Sequence, residues 1–325
     1  MLRSLVVRHP LTVLVIFMMT AFFGASTIVI AQTKVIGYVT NDRYHAVDYA
    51  KLTHLNIAFE NPDVSGDISV SAANDTYIRE AHSHGVKVLV SLAGGGASHD
   101  PAMQALYFDL IKDSSRSAFV QKIKAYVLAN NLDGVDVDLE GPAINEDYGK
   151  FISELSTALK AQGKLLTSAL SHLNGAPKVA DSTMHLFDFI NIMAYDQTGP
   201  WRPDKPGQHS SFEFALESLE YWIQRGLPKD KAVLGVPFYG YGFGPDFNQG
   251  MGFLEIIERF PNSQNADVVG NTIYYNGIPT ISRKVQHVLD HGYGGIMIWQ
   301  LGHDASGEFS LLGTIHKVIQ KKASR

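Results

Sequence analysis

Four acidic residues lie within eight positions of one short segment: Asp133, Asp136, Asp138 and Glu140 in LDGVDVDLEG, residues 132–141. Side chains alternate along a strand, so the last three acids share one face while valine and leucine take the other. Like charges at close range raise at least one pKa, and a carboxyl group that keeps its proton near neutral pH can act as a general acid. The segment therefore predicts acid–base chemistry on a buried strand.

The spacing of these carboxyl groups does not by itself fix a mechanism. Positions two apart on a strand are separated by roughly 6.6 Å, which lies between the carboxyl separations of retaining and inverting glycosidases. A calcium loop is the alternative, because residues 136–147 partly imitate its twelve-residue ligand order, with Gly141 at the sixth position. The strand-like alternation of residues 132–139 and the glutamate at the fifth position disfavour calcium.

The elements that must position these acids alternate along the chain. Strand-like and helical segments follow one another from Lys34 onward. Eight such units predict parallel pairing with right-handed crossovers in a closed (β/α)8 barrel, an α/β fold whose catalytic groups lie at the carboxyl ends of the strands. An open doubly wound sheet is the alternative, but the glycine-rich run at 93–98 matches neither phosphate-binding pattern. The predicted strands are 34–38, 54–59, 87–91, 134–138, 165–169, 187–194, 232–237 and 295–299.

The connections also carry predicted structure. Residues 241–294 form the longest connection, which we expect to be a decorated loop on the active-site face with a helix at 253–259 and a strand at 273–275. Trp222 is expected in the core, since it lies on a helix of apolar period. The predicted helices outside that connection are 75–84, 116–130, 146–161, 212–225, 282–291 and 311–321.

Several motifs resemble those of glycoside hydrolase family 18, the chitinases and related endo-N-acetylglucosaminidases. The acidic segment is similar to the family's D-x-x-D-x-D-x-E signature, and the similarity runs in order from about residue 35 to about residue 304. The other similar segments are Ser91-Leu92-Ala93-Gly94 for S-x-G-G, Met193-Ala194-Tyr195-Asp196 for M-x-Y-D, Gly-Pro-Trp at 199–201, Gly-Val-Pro-Phe-Tyr-Gly at 235–240, and Gly-Ile-Met-Ile-Trp at 295–299.

The resemblance implies substrate-assisted retention, in which the 2-acetamido oxygen of the sugar attacks the anomeric carbon and forms an oxazolinium ion. By that analogy Glu140 protonates the leaving oxygen and later activates water. Asp138 would stabilise the acetamido N–H, Asp136 would share a proton or hydrogen bond with Asp138, and Tyr195 would hold the acetamido oxygen. These four are the predicted catalytic residues.

The same resemblance implies a sugar-binding surface. Trp299 would form the floor beneath the sugar on the non-reducing side of the scissile bond, and Asp196 would bond sugar hydroxyls. Aromatic residues suit a pyranose, which has an apolar C–H face and a polar rim. The predicted substrate-binding residues are Trp299, Asp196, Met193, Trp201, Tyr38, Phe59, Tyr239 and Ser91.

Three positions depart from the family pattern. Relatives often place an aromatic residue between the acid and the following proline, but here this residue is Gly141. The tryptophan that often follows the glycines of S-x-G-G is absent near Gly95 and Gly96. Tyr241 stands where an arginine often follows Tyr-Gly. The connection after the seventh strand is also short for a full α+β insertion. We therefore expect a shallow, open groove.

The N-terminal segment differs in composition from the rest. Basic residues precede an apolar stretch at 11–31, with Val29 and Ala31 as cleavage-recognition positions, which predicts a signal peptide at 1–31 before a single catalytic domain at 32–325. An uncleaved anchor is the alternative, because about 20 apolar residues span a bilayer. Either form exports the chain, and the absence of cysteine suits a bacterial periplasmic or extracellular enzyme. Cleavage would leave no stable membrane insertion.

Composition limits the partners. The net charge is −5 and no run of basic residues builds a face for nucleic acid, so a nucleic-acid partner is not expected. None of the 13 histidines forms a metal-ligand spacing, and we predict neither a metal nor a cofactor. We expect a monomer that binds an oligo- or polysaccharide containing N-acetylglucosamine.

These observations favour a secreted glycoside hydrolase that cleaves β-1,4 bonds in chitin or chito-oligosaccharides. One alternative is an endo-β-N-acetylglucosaminidase acting on the chitobiose core of N-glycans, because the missing aromatics suit a bulkier substrate. A chitinase-like lectin is the non-enzymatic alternative, disfavoured because Glu140 is retained.

Overall fold

The computed structural model describes residues 33–324 except 43, 70, 245 and 246. The strands of this part of the chain are β1 Lys34–Thr40, β2 His54–Ala58, β3 Lys87–Ala93, β4 Gly134–Asp138, β5 Leu165–Leu170, β6 Phe189–Ile192, β7 Ala232–Pro237, β8 Tyr239–Gly242, β9 Gly250–Gly252, β10 Val268–Val269, β11 Ile273–Tyr274 and β12 Gly295–Trp299. Eight of them pair in parallel into a closed barrel in the order β1-β12-β7-β6-β5-β4-β3-β2. The predicted (β/α)8 barrel is confirmed, and the open sheet is wrong.

Helices surround the barrel. They are α1 Ala72–Ser83, α2 Gly95–His99, α3 Pro101–Ile111, α4 Arg116–Ala129, α5 Tyr148–Lys160, α6 Asp181–Met184, α7 Phe212–Gln224, α8 Phe253–Arg259, α9 Ile278–His291 and α10 Leu311–Ala323. The predicted helices are all present with ends shifted by a few residues. Helices α2 and α6 were not anticipated because they have only five and four residues, and α3 was not anticipated because most of its positions are apolar and show no helical period.

Strand β4 shows the two-sided pattern that its sequence predicts. Val135, Val137 and Leu139 are completely buried against the surrounding shell. Asp136 pairs in register with Ser91 of β3 on one side and Thr167 of β5 on the other. The acidic side chains therefore face the barrel axis, and the strand ends two residues before Glu140.

Asp133, the first acid of the motif, has a structural role in the barrel. Asp133 Oδ2 accepts hydrogen bonds from the backbone N–H of Val88 and from His82 Nε2, both at 2.8 Å. Asp133 precedes β4, at the barrel end opposite Glu140. It joins β3, β4 and α1 and takes no part in the site described below.

The start of helix α7 holds the end of the connection from β6, which carries residues of the site described below. Ser211 caps it by accepting a hydrogen bond from Phe214 N at 3.0 Å. Phe214, Leu219 and Trp222 lie at helical spacing and are buried, as predicted for Trp222. The cap and this apolar face hold the residues just before Ser211 against the barrel.

The connection after β7 is more ordered than the sequence indicates. Strands β8 to β11 form an antiparallel sheet in the order β10-β11-β8-β9, and α8 follows β9. The helix and the strand near residue 273 were predicted. The others escaped prediction because strands of two to four residues are too short for alternation to be read.

The predicted signal peptide or anchor at 1–31 lies outside the described residues. Within the described residues, no helix is both long enough and apolar enough to cross a membrane.

Candidate active site

Asp136 is completely buried and lies at the centre of a hydrogen-bond network. Its Oδ2 accepts from the hydroxyls of Tyr38 and Ser91, each at 2.7 Å. Its Oδ1 accepts from Thr167 Oγ1 at 2.6 Å and from Asn191 Nδ2 at 3.3 Å. Burial raises the pKa of Asp136, and these four donors oppose that rise because they stabilise its carboxylate.

Asp138 stands one step nearer the barrel mouth and has a different environment. It is 4% exposed, and its Oδ1 is buried with no hydrogen-bond partner among the described residues. Burial first, and then the nearby charges of Glu140 and Asp136, raise the pKa of Asp138 well above its ordinary value. Asp138 therefore favours its protonated form, and its Oδ1 is a buried acceptor that no described residue satisfies.

Glu140 follows the end of β4 and is only partly buried. Burial raises the pKa of Glu140 to about 7, with the negative charge of Asp196 as the second cause. A carboxyl group with such a pKa carries a proton for a substantial fraction of the time near neutral pH. It can donate that proton and take another back, as an acid–base catalyst must.

Tyr195 lies deep in the same mouth and is 7% exposed. Its hydroxyl points at Met297 Sδ, 3.8 Å away, and sulfur is a weak acceptor. Burial raises the pKa of Tyr195 well above its ordinary value, so the phenol keeps its proton. The site thus contains a hydroxyl donor whose protein partner is easily exchanged for a better acceptor.

Asp196 is held by two neighbours. Its Oδ1 accepts a hydrogen bond from the Tyr239 hydroxyl at 2.6 Å, and its backbone N–H donates to His209 Nδ1 at 3.3 Å. His209 is completely buried, and its Nε2 lies 3.2 Å from the carbonyl oxygen of Tyr239, which can only accept. His209 therefore carries a proton on Nε2 and ties the segment after β6 to β8.

Aromatic rings form the floor between β1, β2 and β12. Phe59 stacks on Trp299 with ring centroids 5.6 Å apart, and Tyr38 meets Trp299 edge-on at 5.6 Å. Gly94, at φ +76°, makes room for this arrangement, since a Cβ there would lie 2.4 Å from the Phe59 ring. The glycine after Ala93 is thus required by the ring that supports Trp299.

Three cavities that open to solvent follow one another across the barrel mouth. The acid cavity, about 470 Å³, is lined by Glu140, Met193, Tyr195 and Trp201 among others. The floor cavity, about 600 Å³, is lined by Trp299 and Tyr239 and by residues of β9 and α8, and it shares Asp196 and Tyr241 with the acid cavity. The third, about 460 Å³, includes Phe59 and shares Gly302 and His303 with the floor cavity. Together they form a groove with Glu140 near one end.

The structure brings most of the predicted site residues to this groove. Trp201 is 56% exposed and meets Tyr241 edge-on, with ring centroids 5.1 Å apart. Tyr38 and Ser91 lie elsewhere than predicted: both are almost completely buried, and their hydroxyls are donated to Asp136. We therefore assign these two residues to holding Asp136, because both hydroxyls already donate to it and neither residue lines any of the three cavities.

Three residues of the network are not indicated by any motif in the sequence. Thr167 and Asn191 complete the shell around Asp136, and His209 contacts Asp196. A polar residue in the middle of a buried strand was the available signal for Thr167 and Asn191. His209 had no signal, since it lies in an irregular segment.

The acidic residues of the site do not form a metal site with their neighbours. Among the residues that the structure describes, no group of three or more histidine or acidic side chains is placed to hold a metal ion. The calcium loop considered for residues 136–147 is wrong, because residues 134–138 form a strand and Asp136 is surrounded by donors.

Comparison with known proteins matches this geometry to one family. Residues 34–304 match the family described as glycosyl hydrolases family 18. The crystal structure of the GH18 chitinase ChiB from the chitin utilization locus of Flavobacterium johnsoniae is 42% identical, covers 90% of this chain and 95% of its own, and superposes with a TM-score of 0.85. An endochitinase of Brugia malayi is 26% identical, with 82% of this chain and 67% of the relative aligned.

The chain spans less of some other relatives. It is 26% identical to probable chitinase 10 of Drosophila melanogaster and 25% identical to probable chitinase 2, and it covers 13% and 58% of their lengths. The family match nonetheless extends from β1 to the segment after β12 and includes every strand end that contributes to the groove. The chain belongs to glycosyl hydrolases family 18.

Proposed function

We propose that this protein hydrolyses β-1,4 bonds between N-acetylglucosamine units in chitin and chito-oligosaccharides. The observation that carries the proposal is the pairing of Glu140, whose pKa is raised to about 7, with Asp138, whose buried Oδ1 has no partner among the described residues. A proton donor and a buried acceptor side by side suit a substrate that carries both a leaving oxygen and an amide N–H.

The proposed reaction uses the sugar's own acetamido group. Glu140 gives its proton to the glycosidic oxygen while the acetamido oxygen attacks the anomeric carbon, so the C–O bond breaks and an oxazolinium ion forms. Asp138 accepts the N–H of that ion, whose positive charge favours the Asp138 carboxylate, and Tyr195 orients the acetamido oxygen. Glu140 then takes a proton from water, and the water oxygen bonds to the anomeric carbon while the bond from that carbon to the acetamido oxygen breaks, so the acetamido group is regenerated and the β configuration is retained.

The floor cavity and the acid cavity fit the sugars on the two sides of the bond that is cleaved. Trp299, stacked on Phe59, offers a broad apolar face beneath the sugar that contains the anomeric carbon. Asp196 and Tyr241 line both the acid cavity and the floor cavity, so they lie where the cleaved bond would cross from one to the other. A sugar chain laid along the groove would therefore present its glycosidic oxygen to Glu140.

An endo-β-N-acetylglucosaminidase acting on N-glycans is the second candidate. It needs the same acetamido chemistry but more room around the leaving group. The rim residue Leu173, which is 52% exposed and lines the acid cavity, favours it because that edge of the cavity is open to solvent.

One panel of substrates separates these functions. Purified protein would be incubated with chitotetraose, with its fully deacetylated counterpart and with an N-glycoprotein, and products read by mass spectrometry and proton NMR. We expect chitobiose formed first as the β anomer and no cleavage of the deacetylated tetramer. The α anomer first, or cleavage of the deacetylated tetramer, would overturn substrate assistance. Release of N-glycans without chitotetraose cleavage would establish the second candidate, and binding without any cleavage would indicate a lectin.

We also propose that the chain is exported and cleaved after Ala31. The basic residues before an apolar stretch and the small residue Ala31 support this proposal. Expression of the full chain in a bacterial host and N-terminal sequencing of the protein outside the inner membrane should give a chain that begins at Gln32. A membrane-bound chain that retains Met1 would support the anchor instead.

A further inference from the structure

A turn after β5 approaches the catalytic strand at the residue next to Glu140. Gly141 has φ +49°, and a Cβ built there would lie 2.3 Å from Asn174 Oδ1. A side chain at position 141 and the Asn174 amide therefore exclude each other. In this chain the space beside the acid is filled by an amide carried on a neighbouring loop.

The backbone of this turn is well fixed. Ser171 Oγ accepts from Leu173 N at 3.2 Å, and Ser171 O accepts from Asn174 N at 3.4 Å. Lys178 Nζ donates to Gly141 O at 3.3 Å, which ties the turn to the loop after β4. The backbone that carries Asn174 is thus held by Ser171 before it, and the turn is tied to the loop after β4 by Lys178.

The side chain of Asn174 is exposed in the acid cavity. Its amide makes no hydrogen bond to a described residue, so Nδ2 keeps two donors and Oδ1 keeps its acceptor sites available. Glu140 and Trp201 line the same cavity. A pyranose has a polar rim and an apolar face. The Asn174 amide can bond to the rim, and the exposed indole of Trp201 can pack against the face.

The position of this cavity relative to the cleaved bond assigns it to the leaving group. Trp299 lines the floor cavity but not the acid cavity, so in the proposed reaction the sugar with the anomeric carbon rests on Trp299 and only its acetamido group reaches Tyr195 in the acid cavity. Glu140 protonates the oxygen on the far side of that carbon. The sugar attached to this oxygen therefore occupies the acid cavity, beside Asn174.

We infer that Asn174 is a specificity-determining residue that recognises the leaving sugar through a hydroxyl or acetamido group. This inference rests on the proposed function and names the contact that selects its leaving group. Glycine at position 141, in place of an aromatic residue, leaves room for the Asn174 amide, and this amide bonds to the sugar directly.

The test compares two substrates that share one half. Chitotetraose and 4-methylumbelliferyl chitobioside both place chitobiose on the Trp299 side, but only the tetramer places a sugar beside Asn174. We expect Asn174→Ala to lower kcat/KM for the tetramer about fivefold to tenfold, as for the loss of one hydrogen bond. For the aryl substrate kcat/KM should stay within about twofold of wild type. Asn174→Ser, which retains a hydroxyl, should lose less on the tetramer.

Three results would decide against the inference. Equal losses on both substrates would mean that Asn174 acts through Glu140, and no loss on either would mean that the amide does not contact the leaving sugar. A shift of several degrees in the melting temperature, tracked by circular dichroism, would make Asn174 a structural residue. Failure of the wild-type protein to cleave either substrate would count against the proposed function itself and is thereby distinguishable.

Discussion

The behaviour of Glu140 depends on one residue from a different strand. Burial is the first cause of its raised pKa, and the charge of Asp196 is the second. Asp196 follows β6 and reaches the groove because its backbone turns at φ 61° and its carboxylate is held by Tyr239. The proton that the proposed first step requires is thus kept on Glu140 partly by the charge of a residue that also lines the groove.

A pH profile of Asp196→Asn tests this dependence. The proposed first step requires protonated Glu140, so wild-type kcat/KM should fall as the pH rises through about 7. Removal of the Asp196 charge lowers the pKa of Glu140, so the alkaline limb of the variant should move to lower pH. Values of kcat/KM for an aryl chitobioside between about pH 4 and 9 would give both limbs.

Tyr239→Phe is the matched control for that measurement. It removes the hydrogen bond to Asp196 Oδ1 but keeps the carboxylate charge, so its alkaline limb should stay with wild type. An alkaline limb of Asp196→Asn that stays in place or moves to higher pH would contradict the assignment.

The sequence predicted the acids but not the origin of the raised pKa. We expected repulsion within the strand, and Asp138 does experience Glu140 and Asp136 as secondary causes after burial. For Glu140 the charged neighbour is Asp196, which is 56 positions away in the chain. Only the closed barrel brings the ends of β4 and β6 to one mouth, so no local pattern could identify this pair.

At the level of elements, a buried lysine fastens α9 to the segment after β6. Lys284 Nζ is completely buried and donates to Ser210 O at 2.8 Å, and to Ser210 Oγ and Asn276 Oδ1 at 2.7 Å. Ser210 Oγ in turn donates to Ala194 O at 2.7 Å. The lysine thereby supports the backbone that carries Tyr195 and Asp196.

The stability of Lys284→Met relative to wild type should change with pH. Burial lowers the pKa of Lys284 to about 7, while an unfolded lysine titrates near 10.4. Between these values the unfolded chain binds more protons than the folded one, so the wild-type free energy of unfolding gains a contribution that grows with pH. The methionine variant lacks this titration. We therefore expect the stability difference, wild type minus variant, to increase from pH 7 to pH 10.

Urea unfolding followed by circular dichroism at both ends of that range would measure the difference. The buried tyrosines titrate equally in both proteins and cancel. A difference that stays constant or shrinks as the pH rises would show that Lys284 keeps its proton throughout and would contradict the stated pKa shift.

Strands and helices were predictable where a long repeat of apolar residues marks the side that is buried in the core. Strand β4 was predicted with its observed ends because Val135, Val137 and Leu139 alternate with the acids. The Lys284 contact was not predictable, since a lysine on an amphipathic helix such as α9 ordinarily faces solvent. Its partners Ser210 and Asn276 lie in connections whose paths depend on the whole barrel.

In the whole molecule, the closed barrel brings side chains from several strand ends together at one groove. The acids come from β4, the hydroxyl and carboxylate of Tyr195 and Asp196 follow β6, and the floor comes from β2 and β12. The small sheet after β7 and helix α8 add a wall along the floor cavity. The eight-unit alternation predicted this assembly, whereas the wall of short strands could only be seen in the structure.

We propose Glu140 as the acid and base of a hydrolase acting on N-acetylglucosamine polymers, and a comparison of two proteins decides whether it has this role. Steady-state hydrolysis of chitotetraose would be measured for wild type and Glu140→Gln, with the melting temperature of each as a control for folding. Glutamine keeps the shape of the side chain but cannot give up a proton, so kcat should fall by roughly 10²-fold to 10⁴-fold with an unchanged melting temperature. A folded Glu140→Gln protein that retains wild-type kcat would contradict the account.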